Sequence, residues 1–196
     1  MIERRYLPAC ELRAKSAGGL TITGHAAVFD KLSDEIYGFR ERIAPGAFAE
    51  TIEKDDIRAL WNHDANFVLG RNKAGTLKLA EDDIGLAIEA ELPDTTFARD
   101  LMKSIERGDV SQMSFGFVTP PSGDDWRMEN GQVIRTLNKV QLFDVSPVTY
   151  PAYPQTDVSA RSLFAERIKA LSAATQPDNF YRRKLLHRRI ELFADY

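Results

Sequence analysis

The sequence predicts an α+β fold, mainly β with helices and ending in a helical extension. Three observations carry that reading. Short stretches of β-branched or alternating apolar residues recur between residues 20 and 150. A single run in their midst, opened by Pro93 and closed by Gly108, has apolar residues at helical spacing. Beyond Pro151 the composition changes to two amphipathic helical runs. Residues 1–155 therefore read as a β-rich core and residues 156–196 as a helical C-terminal extension.

In chain order, residues 20 to 29 read as a strand, with His25 inside it. Such a histidine is far more often hydrogen-bonded structure than a catalytic group, and the structural role is the expectation for His25. Residues 30 to 42 are polar and charged and read as a loop, after which Pro45-Gly46 opens a short helix through Phe48 and Ile52. Strands are expected at Ile57 to Trp61, Thr76 to Ala80 and Ile84 to Leu92, in an antiparallel meander with Glu81-Asp82-Asp83 as a turn. In the helix that follows, Phe97, Leu101 and Ile105 form a core-facing stripe beside Ala98 and Met102. Pro120 to Gly131 reads as a long loop, and Val133 to Tyr150 as one long strand or two short ones. In the extension, Leu163, Phe164, Ile168 and Leu171 share one side of the first run; the second, from Pro177-Asp178, carries Leu186, Ile190 and Phe193. Arg182, Arg183, Lys184, Arg188 and Arg189 on that second run read as a solvated face.

The strand Val110 to Val118 separates two faces. Met113, Phe115 and Phe117 point one way and belong in a core; Gln112, Ser114 and Gly116 point the other. Ser114 thus projects beside a glycine that leaves room for a neighbour. Ser111 shares the parity of the bulky residues and ranks behind it. Asp144 lies in an apolar stretch, flanked by Leu142, Phe143 and Val145. An ionised carboxylate there costs several kcal/mol unless it is paired. Its partner is either an arginine in a structural ion pair or the Nδ1 proton of His63.

An imidazole, a hydroxyl and a carboxylate are the groups that activate a serine. The order His63, Ser114, Asp144 matches neither chymotrypsin, subtilisin nor α/β-hydrolase enzymes, and Gln112 stands where a nucleophile elbow needs glycine. Another scaffold is required. Four segments point to it: Ile43-Ala44-Pro45-Gly46-Ala47-Phe48; Trp61-Asn62-His63-Asp64 with Leu69-Gly70-Arg71; Met113-Ser114-Phe115-Gly116-Phe117; and Leu142-Phe143-Asp144-Val145-Ser146 running into Thr149-Tyr150-Pro151-Ala152. Over roughly residues 20 to 155 they resemble the prohead maturation protease of HK97-type tailed phages, a serine protease family held to share the fold of the herpesvirus assemblins. The resemblance implies a closed or partly closed antiparallel β-barrel surrounded by helices. It also implies His63 as base, Ser114 as nucleophile and Asp144 as third member. Asp64 is a lesser candidate for the orienting acid, because adjacent strand residues face opposite ways. The implied task is trimming the scaffolding segment of the major capsid protein, and the protease itself, inside an assembling prohead in the host cytoplasm. Self-association into a homodimer or larger assembly is implied too.

Bulk properties fit. The chain has 196 residues, 43% hydrophobic and 28% charged, with net charge -3, so one soluble core is expected and neither a membrane nor nucleic acid is an expected partner. The N-terminus lacks the apolar stretch of a secretory signal. Cys10 is the single cysteine, which excludes an intrachain disulfide and a thiolate metal cluster. No cofactor or metal is expected. Two competing readings are a metal-dependent hydrolase built on His63, Asp64, His25 and another carboxylate, which lacks any recognisable ligand spacing, and a non-enzymatic capsid or scaffold component that docks through the C-terminal helices.

Overall fold

A computed structural model describes residues 2–6, 12–15, 19–150 and 158–175. Its strands are β1 (Glu3–Tyr6), β2 (Leu12–Lys15), β3 (Thr21–Val28), β4 (Phe39–Ile43), β5 (Arg58–Trp61), β6 (Asp64–Arg71), β7 (Leu77–Glu81), β8 (Gly85–Glu91), β9 (Gln112–Val118), β10 (Asp124–Glu129), β11 (Gln132–Leu137) and β12 (Gln141–Val148). Helices α1 (Ala49–Lys54), α2 (Thr96–Arg107) and α3 (Val158–Thr175) complete it. The strands form three sheets, ordered β1-β9-β12-β5-β6, β10-β11-β4 and β2-β3-β8-β7. Most neighbours are antiparallel, but β12 runs parallel to β5 and β11 parallel to β4.

The core lies between the first and third sheets. Met113, Phe115 and Phe117 of β9 meet Ile22, Leu86 and Ile88 of the third sheet, Phe48 beside α1, and Leu101 of α2. Phe48 packs edge-on to Phe115 with ring centroids 5.6 Å apart. Each such buried phenyl ring contributes about 1.5–3 kcal/mol of transfer free energy, so the apolar face of β9 anchors the strand that carries Ser114. Of the expected stripe on α2, Leu101 and Ile105 are buried with Ala98 and Met102, and Phe97 is half-buried against the core. That helix stops at Gly108, whose φ of 84° takes the left-handed turn a C-cap needs. On the outer side, Phe164, Ile168 and Leu171 of α3 pack against Ile36, Phe39, Trp126 and Val133.

The expected barrel is not closed. Closure needs one unbroken ladder around the ring, whereas here the described strands divide among three separate ladders, each ending in an edge strand on either side. The architecture is mainly β with a few helices, in three open sheets. Three other expectations change. Residues 30–42 include β4, in which Phe39, Glu41 and Ile43 are all buried. Pro120 to Gly131 contains β10, paired along its length with β11 across Asn130-Gly131, both at positive φ. Residues 64–71 form β6, where no strand is expected from the sequence. The stretch from Val133 to Tyr150 resolves into two strands, β11 and β12. The basic run from Arg182 to Arg189 and the second expected helix lie outside the described residues.

Candidate active site

His63 sits at the tip of the β5–β6 hairpin. Trp61 pairs with Asp64, so Asn62 and His63 alone make the connection, with φ of 55° and 58°. Positive φ at both central positions is what a type I′ turn demands; asparagine and histidine tolerate it better than most residues. The turn is tied to the end of β12: the Asn62 N–H donates to the Pro147 carbonyl at 3.0 Å, and Asn62 Oδ1 accepts the Thr149 N–H at 2.9 Å. These bonds hold the imidazole over the face shared by β12 and β9.

Ser114 occupies that face from β9, and it is wholly buried. Its Oγ lies 2.7 Å from His63 Nε2 and also 3.0 Å from the Arg5 carbonyl of β1, the edge strand paired beside it. One hydroxyl proton thus has two acceptors within reach.

Asp144 reaches the same face through a bulge. Leu142 pairs with Phe117 but Asp144 with Gly116, leaving Phe143 as the extra residue. Simple alternation would put Asp144 opposite Phe115, on the core face; the extra residue turns it to the face of Ser114. Thr51 Oγ1 of α1 accepts the Leu142 N–H at 2.8 Å next to the break. Gly116 makes the approach possible, because a Cβ there would collide with Asp144 Oδ1. Asp144 Oδ2 lies 2.5 Å from His63 Nδ1. An ionised carboxylate only accepts, so Nδ1 carries the proton and Nε2 is left as an acceptor for Ser114. Arg58, the residue paired with Asp144 on β5, instead bonds the Asp56 carboxylate at 3.1 Å.

A family model described as caudovirus prohead serine protease matches residues 9–170. The chain belongs to that family. It is a phage prohead maturation protease of the serine class. A search of curated proteins finds no match. Among solved structures, the bacteriophage T4 capsid assembly protease matches with a TM-score of 0.46 and 13% identity, over 76% of this chain and 95% of that one.

The other residues singled out from the sequence lie elsewhere in the prohead protease. His25 Nε2 pairs with the Asp82 carboxylate at 2.8 Å, a structural partner. That pair helps hold the Asp82 carboxyl down at about 2, the His25 hydrogen bond being the largest cause and the Gly85 and Ile84 N–H groups adding to it. Asp64 turns away to accept from Asn66 N–H and side chain, at 2.8 and 2.9 Å. Ser111 is exposed. Among the described residues no group of three or more His, Cys, Asp and Glu is placed to hold a metal, and no helix there is long and apolar enough to cross a membrane. Cys10 lies outside the described residues. Sequence reasoning did not single out Ser146 or Asn62, although both lie within two residues of the chosen ones. Ser146 follows Asp144 by two on β12, pairs directly with Ser114 across the ladder, and is wholly buried. Its hydroxyl donates to Asp144 Oδ2 at 2.6 Å.

Proposed function

We propose that the enzyme cleaves peptide bonds by acyl transfer, with Ser114 as nucleophile, His63 as general base and then acid, and Asp144 as the carboxylate that orients the imidazole. One observation carries this reading: the continuous row Ser114 Oγ to His63 Nε2 at 2.7 Å and His63 Nδ1 to Asp144 Oδ2 at 2.5 Å. Both distances lie within hydrogen-bond reach for a nucleophile and its base.

In the first half-reaction Ser114 Oγ bonds to the scissile carbonyl carbon while its proton passes to His63 Nε2. The imidazolium so formed faces the Asp144 carboxylate through Nδ1–H, and that charge pair stabilises it. Collapse of the tetrahedral adduct breaks the C–N bond, and the Nε2 proton leaves on the amine. Water then attacks the acyl-serine, His63 takes its proton, and Ser114 is regenerated with the proton returned to Oγ. Ser114 is covered in the resting fold, so substrate reaches it only when that cover, which includes the Arg5 carbonyl of β1, opens locally.

The substrate is the scaffolding segment of the major capsid protein, with the protease's own chain as a second target, inside the assembling prohead of an infected host; the enzyme works there as a self-associated species. Of the competing readings, family membership favours neither a metal-dependent hydrolase nor a non-enzymatic scaffold component. Co-expression with the cognate capsid protein tests the proposal. Wild-type enzyme should yield a shortened capsid protein, and Ser114→Ala should leave it full-length while circular dichroism shows an unchanged fold. Undiminished cleavage by Ser114→Ala would remove Ser114 as nucleophile.

A further inference from the structure

We infer that Ser146 is a positioning residue for catalysis, its buried hydroxyl fixing the Asp144 carboxylate in the orientation that serves His63. The inference rests on the triad reading above and extends it to a fourth side chain. A buried hydroxyl must find a partner, and a role in stability alone could be met by any acceptor. The Ser146 proton goes to Asp144 Oδ2, the same oxygen that takes the Nδ1 proton of His63. With two donors converging on Oδ2 at 2.5 and 2.6 Å, and Oδ1 lodged against Gly116 where a methyl group would not fit, rotation of the carboxylate about its χ2 bond is blocked at both oxygens. Free rotation is the default for such a terminal torsion, whose energy wells are broad.

The placement follows from the fold. The bulge at Phe143 brings Asp144 opposite Gly116, and Ser146, two residues on, stands opposite Ser114. Ser114, Asp144 and Ser146 therefore share one face of the β9–β12 ladder with the imidazole above them. The Ser146 hydroxyl bonds the carboxylate and not the imidazole. It acts through Asp144.

Threonine and valine are nearly the same size and both suit a strand, so Ser146→Thr and Ser146→Val differ in the hydroxyl and share any packing penalty. The readout is inactivation of full-length enzyme by a fluorophosphonate, resolved into the maximal rate kinact and the half-saturating concentration KI, with Ser146→Ala alongside. Ser146→Val and Ser146→Ala should lower kinact about 10- to 100-fold, the scale of one hydrogen bond to a charged group, with KI unchanged. Ser146→Thr should recover most of the loss. Equal kinact for the threonine and valine variants, or a change confined to KI, overturns the inference while leaving the triad in place. Persistent inactivation of Ser114→Ala in the same assay would overturn the triad and the inference together.

Discussion

A methyl group added at Gly116 would lie on Asp144 Oδ1, closer than atoms can approach. The backbone of Gly116 is not in the left-handed region, so the whole penalty is that contact. Asp144 cannot retreat easily, because Oδ2 is held by His63 and Ser146. In Gly116→Ala we therefore expect the carboxylate to be pushed off the imidazole, with fluorophosphonate labelling of Ser114 slowed about 100-fold, the scale of a misplacement of about 1 Å. Overpacking should lower stability by about 1–3 kcal/mol. Thermal unfolding and labelling measured on the same sample separate the two effects, and labelling at the wild-type rate would show that the carboxylate has room to spare. This is also where the sequence was most readable. Alternation along Val110 to Val118 assigned Ser114 and Gly116 to one face, and the apolar surroundings of Asp144 demanded a partner. Ser146 was harder to single out, since nothing in a lone serine distinguishes a donor to a carboxylate from a satisfied strand hydroxyl.

Two departures from regular strand geometry assemble the site at the level of elements: the Asn62-His63 turn and the bulge at Phe143. Neither announces itself plainly. The commonest sequence for a tight hairpin ends in glycine, and here histidine fills that place. The bulge leaves a trace in the buried apolar positions, which step by three from Leu142 to Val145 where an unbroken strand would step by two. The strand β6 was hidden for a related reason: its pairing with β5 shifts register twice, which erases alternation. For β4 the pattern was masked by charge, because Glu41 occupies a core position as a member of a buried ionic cluster. The turn itself can be tested. Asn62→Gly keeps the left-handed backbone but loses the Oδ1 bond to Thr149 N–H; Asn62→Ala loses both, and should be less stable than the glycine variant by about 1–2 kcal/mol. Because the Oδ1 bond to the Thr149 N–H is gone in either case, while the Asn62 N–H keeps its bond to the Pro147 carbonyl, labelling of Ser114 should slow about tenfold in both, as expected when an imidazole is less firmly placed. A glycine variant that labels as fast as wild type would show that the hairpin positions His63 without help from Thr149.

For the whole molecule, the notable cost is a cluster of five charges buried between sheets. Arg135 of β11 donates to Glu3 of β1 at 2.7 and 3.0 Å, to Glu41 of β4 at 2.9 Å and to Asp124 of β10 at 2.8 Å, while Arg5 of β1 bonds Glu41 at 2.9 Å and Glu3 at 2.6 Å. The Trp126 and Phe164 rings flank the Arg135 guanidinium at 5.5 and 5.1 Å. The cluster joins β1, the strand beside Ser114, to the second sheet, so the hold on β1, and with it the Arg5 carbonyl over Ser114, depends on charge as well as on the ladder. Burial alone would raise the Glu3 carboxyl, but the hydrogen bond from Arg135 and the charges of Arg5 and Arg135 outweigh it and bring the group below its ordinary 4.5. Arg135 moves upward in turn: its burial opposes the charged form, yet the carboxylates of Glu41 and Glu3 more than offset that. A carboxyl depressed in the folded state adds stability that is fully present above its unfolded pKa and is lost as pH falls through the folded value. Thermal stability should therefore fall as pH drops below 4.5. Glu3→Gln should be less stable than wild type at pH 7, and the gap should narrow on acidification because the variant has no proton to gain at that position. Melting temperatures of both proteins measured from pH 7 to pH 3 decide it: a gap that stays constant across the range would mean that Glu3 is held by shape alone and that the acid sensitivity of the fold arises elsewhere.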